Sequence, residues 1–224
     1  MSAIHTELAD TDPPGYRFAA GFAEDFEALL RWRRDVRRFS REPIDEALIE
    51  HLLDLACLAP SVGNAQPWRF VSVDRPGNRD AVAGNFALAN AQALAGYSGP
   101  RAQLYAQLKL AGLREAPRQF AVFCDEGTPQ GNGLGRVTMP EMLKYSVALS
   151  VHTFWLAARA AGIGLGWVSI LDPVNVVKQL RVPADWSLVA YLCVGYPIDE
   201  STVPELERVG WQSRDSQCRK VLKR

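Results

Sequence analysis

A chain of 224 residues is long enough to enclose one substantial core, and 48% hydrophobic with 22% charged residues is ordinary globular composition. Its 25 Lys and Arg balance its 25 Asp and Glu, so no net field draws in nucleic acid or an anionic membrane surface. No run of about 18 apolar residues offers a transmembrane helix, and the acidic start (Glu7, Asp10, Asp12) is unlike a signal peptide, so the cytoplasm is the expected compartment.

Residues 1–22 lack periodicity and carry Pro13, Pro14 and Gly15, which reads as an arm ahead of a single domain over 23–224. Apolar residues Phe22, Phe26, Leu29, Leu30 and Val36 recur at helical spacing and predict a helix from Ala23 to about Arg38. A second helix, roughly Asp45 to Leu58, is closed by Pro60. Arg69–Val73 is β-branched and aromatic enough for a strand, with Pro76-Gly77-Asn78 read as its closing turn. Residues 80–96 suit a helix, Gly96 to Pro100 breaks it, and a further helix runs to about Gly112.

Phe120–Cys124 predicts another strand, and the glycine-rich 127–137 a long mobile loop. Leu143–Ala161 is apolar almost all round, so it must be covered on every side. A chain this short rarely does that alone, and a subunit interface is expected. Leu165–Ile170 is a strand, Asp172-Pro173 has the chemistry to start a short helix to Leu180, and Ser187–Val194 is the last clear strand. Beyond Asp199 no core pattern is visible; that stretch is expected to wrap something, such as a second subunit. The order implies an α+β domain. Cys57, Cys124, Cys193 and Cys218 are far apart and the first three sit in apolar runs, which suggests buried thiols. His5, His51 and His152 are too scattered for a metal site.

Three segments carry chemistry. In Arg33-Arg34-Asp35-Val36-Arg37, planar guanidinium forks suit phosphate oxygens, and their charge is expected to hold Asp35 ionised. A solvated basic helix end with Asp35 paired locally fits the same residues. Pro60-Ser61-Val62-Gly63-Asn64-Ala65-Gln66-Pro67-Trp68 places amides and a hydroxyl in a turn that can face the edge of a pyrimidine-like ring, or can simply connect helix to strand. Gly162-Ile163-Gly164-Leu165-Gly166-Trp167-Val168-Ser169 follows a helix and opens a strand, the reverse of a dinucleotide fingerprint. Its glycines are expected to let backbone approach a flat ligand closely, with Gly162 also reading as a Schellman helix stop.

Together these segments resemble the nitroreductase-like flavoproteins, over roughly residues 25–200. The resemblance implies that fold: a central mixed sheet flanked by helices, in an intertwined homodimer. It also implies FMN held by Arg33, Arg34, Asp35, Val36 and Arg37, by Pro60, Ser61, Val62, Gly63, Asn64 and Gln66, and by Ser98, Gly164, Gly166, Trp167 and Ser169. Asp35, where ordinary members carry Ser, and Ser169 resemble the branch that makes 5,6-dimethylbenzimidazole, as do Trp155–Arg159 and Ser98 through Lys109 and Leu110.

For that branch the implied reaction consumes reduced FMN and O2, giving 5,6-dimethylbenzimidazole for cobalamin and erythrose 4-phosphate, with Asp35 and Ser169 catalytic. NAD(P)H would enter through a separate flavin reductase. Residues 84–97, the lid of that branch, are richer in Ala and Gly than its pattern. The rival readings are an NAD(P)H-dependent nitro- or quinone reductase that recycles FMN, and a flavin-storage protein without turnover.

Overall fold

The computed structural model describes residues 17–108 and 112–224. Most of the expected arm, and Lys109 and Leu110, lie outside the described residues. Two apolar registers on alternating strand positions decide the architecture. In β2 (Arg118–Asp125), Phe120, Val122 and Cys124 face one layer while Ala121 and Phe123 face the other. In β4 (Trp186–Gly195), Ala190, Leu192 and Val194 alternate with Tyr191 and Cys193 in the same way. Strands buried on both faces must sit centrally between helical layers.

The four strands run in the order β1-β2-β4-β3, with β1 at Trp68–Ser72 and β3 at Gly164–Val168. All three pairings are antiparallel, with an irregularity between Val122 and Phe123. Among the described residues the sheet becomes mixed only through a one-residue parallel bridge, Asp35 to Leu165. Helices α2 (Glu46–Ala56) and α6 (Met142–Ala160) supply Ile49, Leu52, Val147, Val151 and Phe154 to one layer. The other layer holds Val82 of α3 (Pro76–Ala95), Leu113 of α5 (Gly112–Glu115) and Val176 of α7 (Pro173–Leu180). The remaining helices are α1 (Phe22–Trp32), α4 (Gly99–Gln107) and α8 (Glu205–Arg208).

Local caps account for several helix ends. Asp45 accepts from the Ala47 N–H, and Asp172 from that of Asn175. At the end of α6, Gly162 has φ +75° while the N–H of Ile163 reaches the Ala158 carbonyl at 2.8 Å and that of Gly162 reaches Arg159, the double bond of a Schellman stop.

Other expectations change. Pro76 is not a turn closing β1 but sits in the first turn of α3, where its missing N–H costs nothing. Helix α1 ends at Trp32 rather than near Arg38, and Arg33 is already extended (ψ 114°). The edge of β3 offers Val36 a better partner than another helical turn would: its N–H donates to the Leu165 carbonyl at 3.0 Å. The 127–137 segment, expected as a free loop, packs on residues 62–65; Gln130 donates to the Asn64 carbonyl, and a Cβ on Gly131 would meet the Gly63 carbonyl at 2.9 Å. Cys124 and Cys193 are buried as expected, but Cys57 is exposed. Helix α6 is covered along one side only, leaving Tyr145, Leu149 and His152, spaced four and three residues apart, open in a single chain.

Candidate active site

Residues 33–40 form a strap across one end of the sheet. Val36 joins Leu165 of β3, the Arg37 carbonyl accepts from Gly112 at 2.9 Å, and Ser40 and Arg38 exchange backbone bonds with Tyr196 and Ile198. Phe39, only 1% exposed, plugs the core beneath. The strap lies so close to β3 that side chains there are impossible. A Cβ on Gly166 would stand 2.2 Å from the Val36 carbonyl oxygen, and one on Gly164 would meet the Val36 side chain at 2.9 Å. The two glycines were expected to admit a flat ligand. On the side of the strap, the room they create is filled by Val36.

Asp35 sits at the centre of this contact. One oxygen accepts from the Trp167 N–H at 2.9 Å, and the other lies 3.4 Å from Nε of Arg37. The arginines expected to hold Asp35 ionised meet an opposing influence in the fold. Burial pushes its pKa above the ordinary carboxylate value, and the Trp167 N–H and Arg37 only partly offset that. Arg33 lies over the Trp155 ring, 4.7 Å from its centroid.

Beside Asp35 opens a cavity of about 220 Å³ lined by Arg34, Arg37, Arg38, Arg159 and Arg208 and by Asp35, Asp199, Glu200 and Glu205. The cationic patch foreseen in the strap is thus nearly balanced: Arg38 pairs with Asp199 at 3.3 Å, Arg159 with Glu200 at 2.5 Å, and Arg37 approaches Glu205 at 3.7 Å. Arg34 instead donates to backbone carbonyls, including that of Thr202 at 2.7 Å, and Arg208 makes no ion pair among the described residues. Five guanidiniums against four carboxylates still leave the cavity positive, with donors suited to a phosphate. Residues 199–208, in the stretch expected to wrap something, pack against the strap of their own chain. The residues of 199–208 carried no sequence sign of this site, since the strap and Thr202 are joined across 168 positions.

The second expected segment lies elsewhere. Ser61 accepts from the Gln66 N–H, the Gln66 side chain donates to that of Asn64, and the Val62 N–H donates to Ser146 near the start of α6. Gly63, at φ +56° and within 2.9 Å of the Leu134 carbonyl from a notional Cβ, lets this turn close. Ser146 and Trp155 are nine residues apart on α6, roughly 14 Å along the axis, and none of residues 60–66 lines the arginine cavity.

Ser98 is also separate. It begins α4 in a shallow depression with Arg101 and Trp211, next to stacked Tyr97 and Tyr105. Ser169 is exposed just past the end of β3, two residues beyond the Trp167 that holds Asp35. The void next to Asp35 under Trp167 and Val168 is about 10 Å³, at the lower limit for a single water. Within one chain, then, the strap, β3 and the 199–208 stretch converge, while the Pro60–Gln66 turn and Ser98 do not.

The sequence profile described as the Nitroreductase family matches residues 30–196. A Rhodospirillum rubrum protein named 5,6-dimethylbenzimidazole synthase is 56% identical over 200 residues, covering 89% of this chain and 95% of that one. A Rhodobacter capsulatus protein of the same name is 51% identical, covering 82% and 89%. Among solved structures, an oxidized iodotyrosine deiodinase bound to FMN and 3-iodo-L-tyrosine superposes with a TM-score of 0.67 at 24% identity, over 88% of this chain and 97% of that one. At that identity the likeness speaks for the fold.

Proposed function

The chain belongs to the nitroreductase family, and from that membership we propose that it is a 5,6-dimethylbenzimidazole synthase, which fragments reduced FMN with O2 into 5,6-dimethylbenzimidazole and erythrose 4-phosphate. Two relatives of that name, each more than half identical over most of both chains, support the reading. The observation that carries it is Asp35, a carboxylate fixed by the Trp167 N–H on the wall of an arginine-lined cavity. FMN is the substrate, delivered reduced by a separate NAD(P)H-dependent flavin reductase in the cytoplasm.

The donor set fits the phosphorylated tail of FMN. Reduced flavin supplies the electrons for O2 and the carbon atoms of the product. Arg34, Arg37 and Arg208 hold the phosphate end, and Arg33 the ribityl side. Asp35 takes a proton from a ribityl hydroxyl, as carbon–carbon cleavage of a polyol requires, and its raised pKa makes it a stronger base than an ordinary aspartate. Ser169 donates a hydrogen bond at the flavin edge.

The ring calls for more wall than one chain provides. We place it between two copies of the chain, the second contributing its Pro60–Gln66 turn and Ser98. The open stripe of α6 and exposed Phe22, Phe26 and Leu30 on α1 are the apolar surface such a homodimer would bury.

The test is incubation with excess reduced FMN in air, with chromatography of the products. Asp35→Asn and Ser169→Gly should bind FMN yet lose benzimidazole formation by at least about 100-fold, the scale of a missing general base. Full yield from Asp35→Asn would remove Asp35 from the reaction. Oxidation of NAD(P)H by a nitroaromatic with FMN conserved would favour the recycling reductase, and stoichiometric binding without turnover a storage protein.

A further inference from the structure

One guanidinium N–H faces two carboxylates. Nε of Arg37 lies 3.4 Å from Oδ2 of Asp35 and 3.7 Å from Oε2 of Glu205, and the Arg37 side chain is only 12% exposed. An arginine so enclosed has little freedom to serve the two acids in turn from solvent. Glu205 is itself held in place from both sides. Ahead of it, the Thr202 carbonyl accepts from Arg34 at 2.7 Å. After it, Trp211 packs edge-on to Tyr97 at 5.5 Å and under the Arg101 guanidinium at 4.9 Å.

We infer that Glu205 is a positioning residue for Asp35: by drawing on the same Arg37 N–H it keeps that arginine from closing on Asp35, and so sets the pH range in which Asp35 accepts a proton. The inference rests on the role proposed above for Asp35.

The other groups around Asp35 are few, and all the charged ones but Arg208 have partners of their own among the described residues. Its own strap brings Arg33, which lies over the Trp155 ring, and Arg34, which donates to carbonyls. From β3 only the Trp167 N–H reaches it. From β4 comes the Cys193 thiol, whose pKa burial pushes up to about 12, so it stays neutral. On the α5 side Glu115 accepts from the Phe39 N–H. From α6 and the 199–208 stretch, Arg159 is paired with Glu200 and Asp199 with Arg38, while Arg208 lines the same cavity. Glu205 is therefore the acid that can be neutralised without unpairing another ion pair in the cavity. Its charge adds to the burial that keeps Asp35 above the ordinary carboxylate range.

The experiment follows the Asp35 carboxyl directly, by carbon NMR of the full-length protein without FMN, labelled at aspartate and assigned through Asp35→Asn. Glu205→Gln should move the Asp35 midpoint to lower pH, since Arg37 then serves Asp35 alone. Glu205→Asp, which retracts the carboxylate by one methylene, should move it the same way by less, and decides the matter if the Gln variant does not fold. Glu207→Gln, on the same short helix but outside the cavity, should leave it in place. An Asp35 midpoint unmoved in the Glu205 variants, or moved equally by Glu207→Gln, overturns the inference. The acid limb of benzimidazole formation is then recorded for the same variants. A limb that follows the carboxyl supports both ideas, whereas a limb that stays while the carboxyl moves condemns the catalytic role of Asp35 and leaves its coupling to Glu205 standing.

Discussion

Alanine at position 166 would put a Cβ 2.2 Å from the Val36 carbonyl oxygen, where real Cβ atoms keep at least 3.0 Å. The obstacle is backbone on both sides, so no side-chain rotation relieves it. Strand β3 cannot retreat, because residues 164–168 are paired along their other edge with β4. The strap must therefore lift by at least about 0.8 Å. That stretches the Val36–Leu165 bond, now 3.0 Å, and the Trp167–Asp35 bond, now 2.9 Å, beyond useful length.

A neutral backbone bond is worth about 1 kcal/mol and one to a carboxylate about 1.5–3, so the loss should come to about 2.5–4 kcal/mol. The strap stays tethered through Gly112, Tyr196 and Ile198, which keeps the damage local and the chain folded. A displacement near 1 Å of groups that hold a reacting substrate costs about 100-fold in rate. Urea unfolding by circular dichroism reads the first figure, and benzimidazole formation from reduced FMN in air the second. A Gly166→Ala protein with the wild-type unfolding midpoint and yield would refute the idea that this close approach is what fixes Asp35.

Charging the open stripe of α6 with Leu149→Arg, at a position 46% exposed in one chain, should give a folded monomer by light scattering and weaken FMN binding at least about tenfold through loss of the partner's wall; a monomer with full affinity would show that one chain suffices. Because burial raises the Asp35 pKa, its proton-accepting form is complete only above that raised value. Product formation should thus fall as pH drops through it, at a higher pH than an ordinary aspartate would dictate, and a limb within the ordinary range would count against Asp35 as the base. Gly162→Ala should cost about 1 kcal/mol in urea unfolding, since φ is +75° but nothing lies within 4 Å of the added methyl; a much larger loss would mean that hidden packing is involved.

The sequence by itself determined what depends on neighbours a few residues away. Asp45 and Asp172 announce helices because a carboxylate two or three residues ahead of an N–H caps it wherever the chain goes. Gly162 announces the end of α6 because few other residues take its backbone angle at little cost. The buried strands show as apolar runs, and Asp35, Arg33 and Ser169 stand out by residue type within short segments.

What only the tertiary structure decided are the outcomes of competition between distant parts of the chain. Helix α1 stops at Trp32 because the edge of β3 outbids another turn for the Val36 N–H. Gly166 is required by the strap that crosses it, whose Val36 carbonyl would meet any Cβ there. Glu205 and Arg208 join the cavity from a short helix in a stretch whose sequence shows no core pattern, and the protonation of Asp35 depends on how deeply the fold buries it as well as on Arg37 beside it. Local hydrogen bonding and hydrophobic periodicity are short-ranged and can be read from neighbouring residues, whereas desolvation and long-range pairing exist only once the chain has closed on itself.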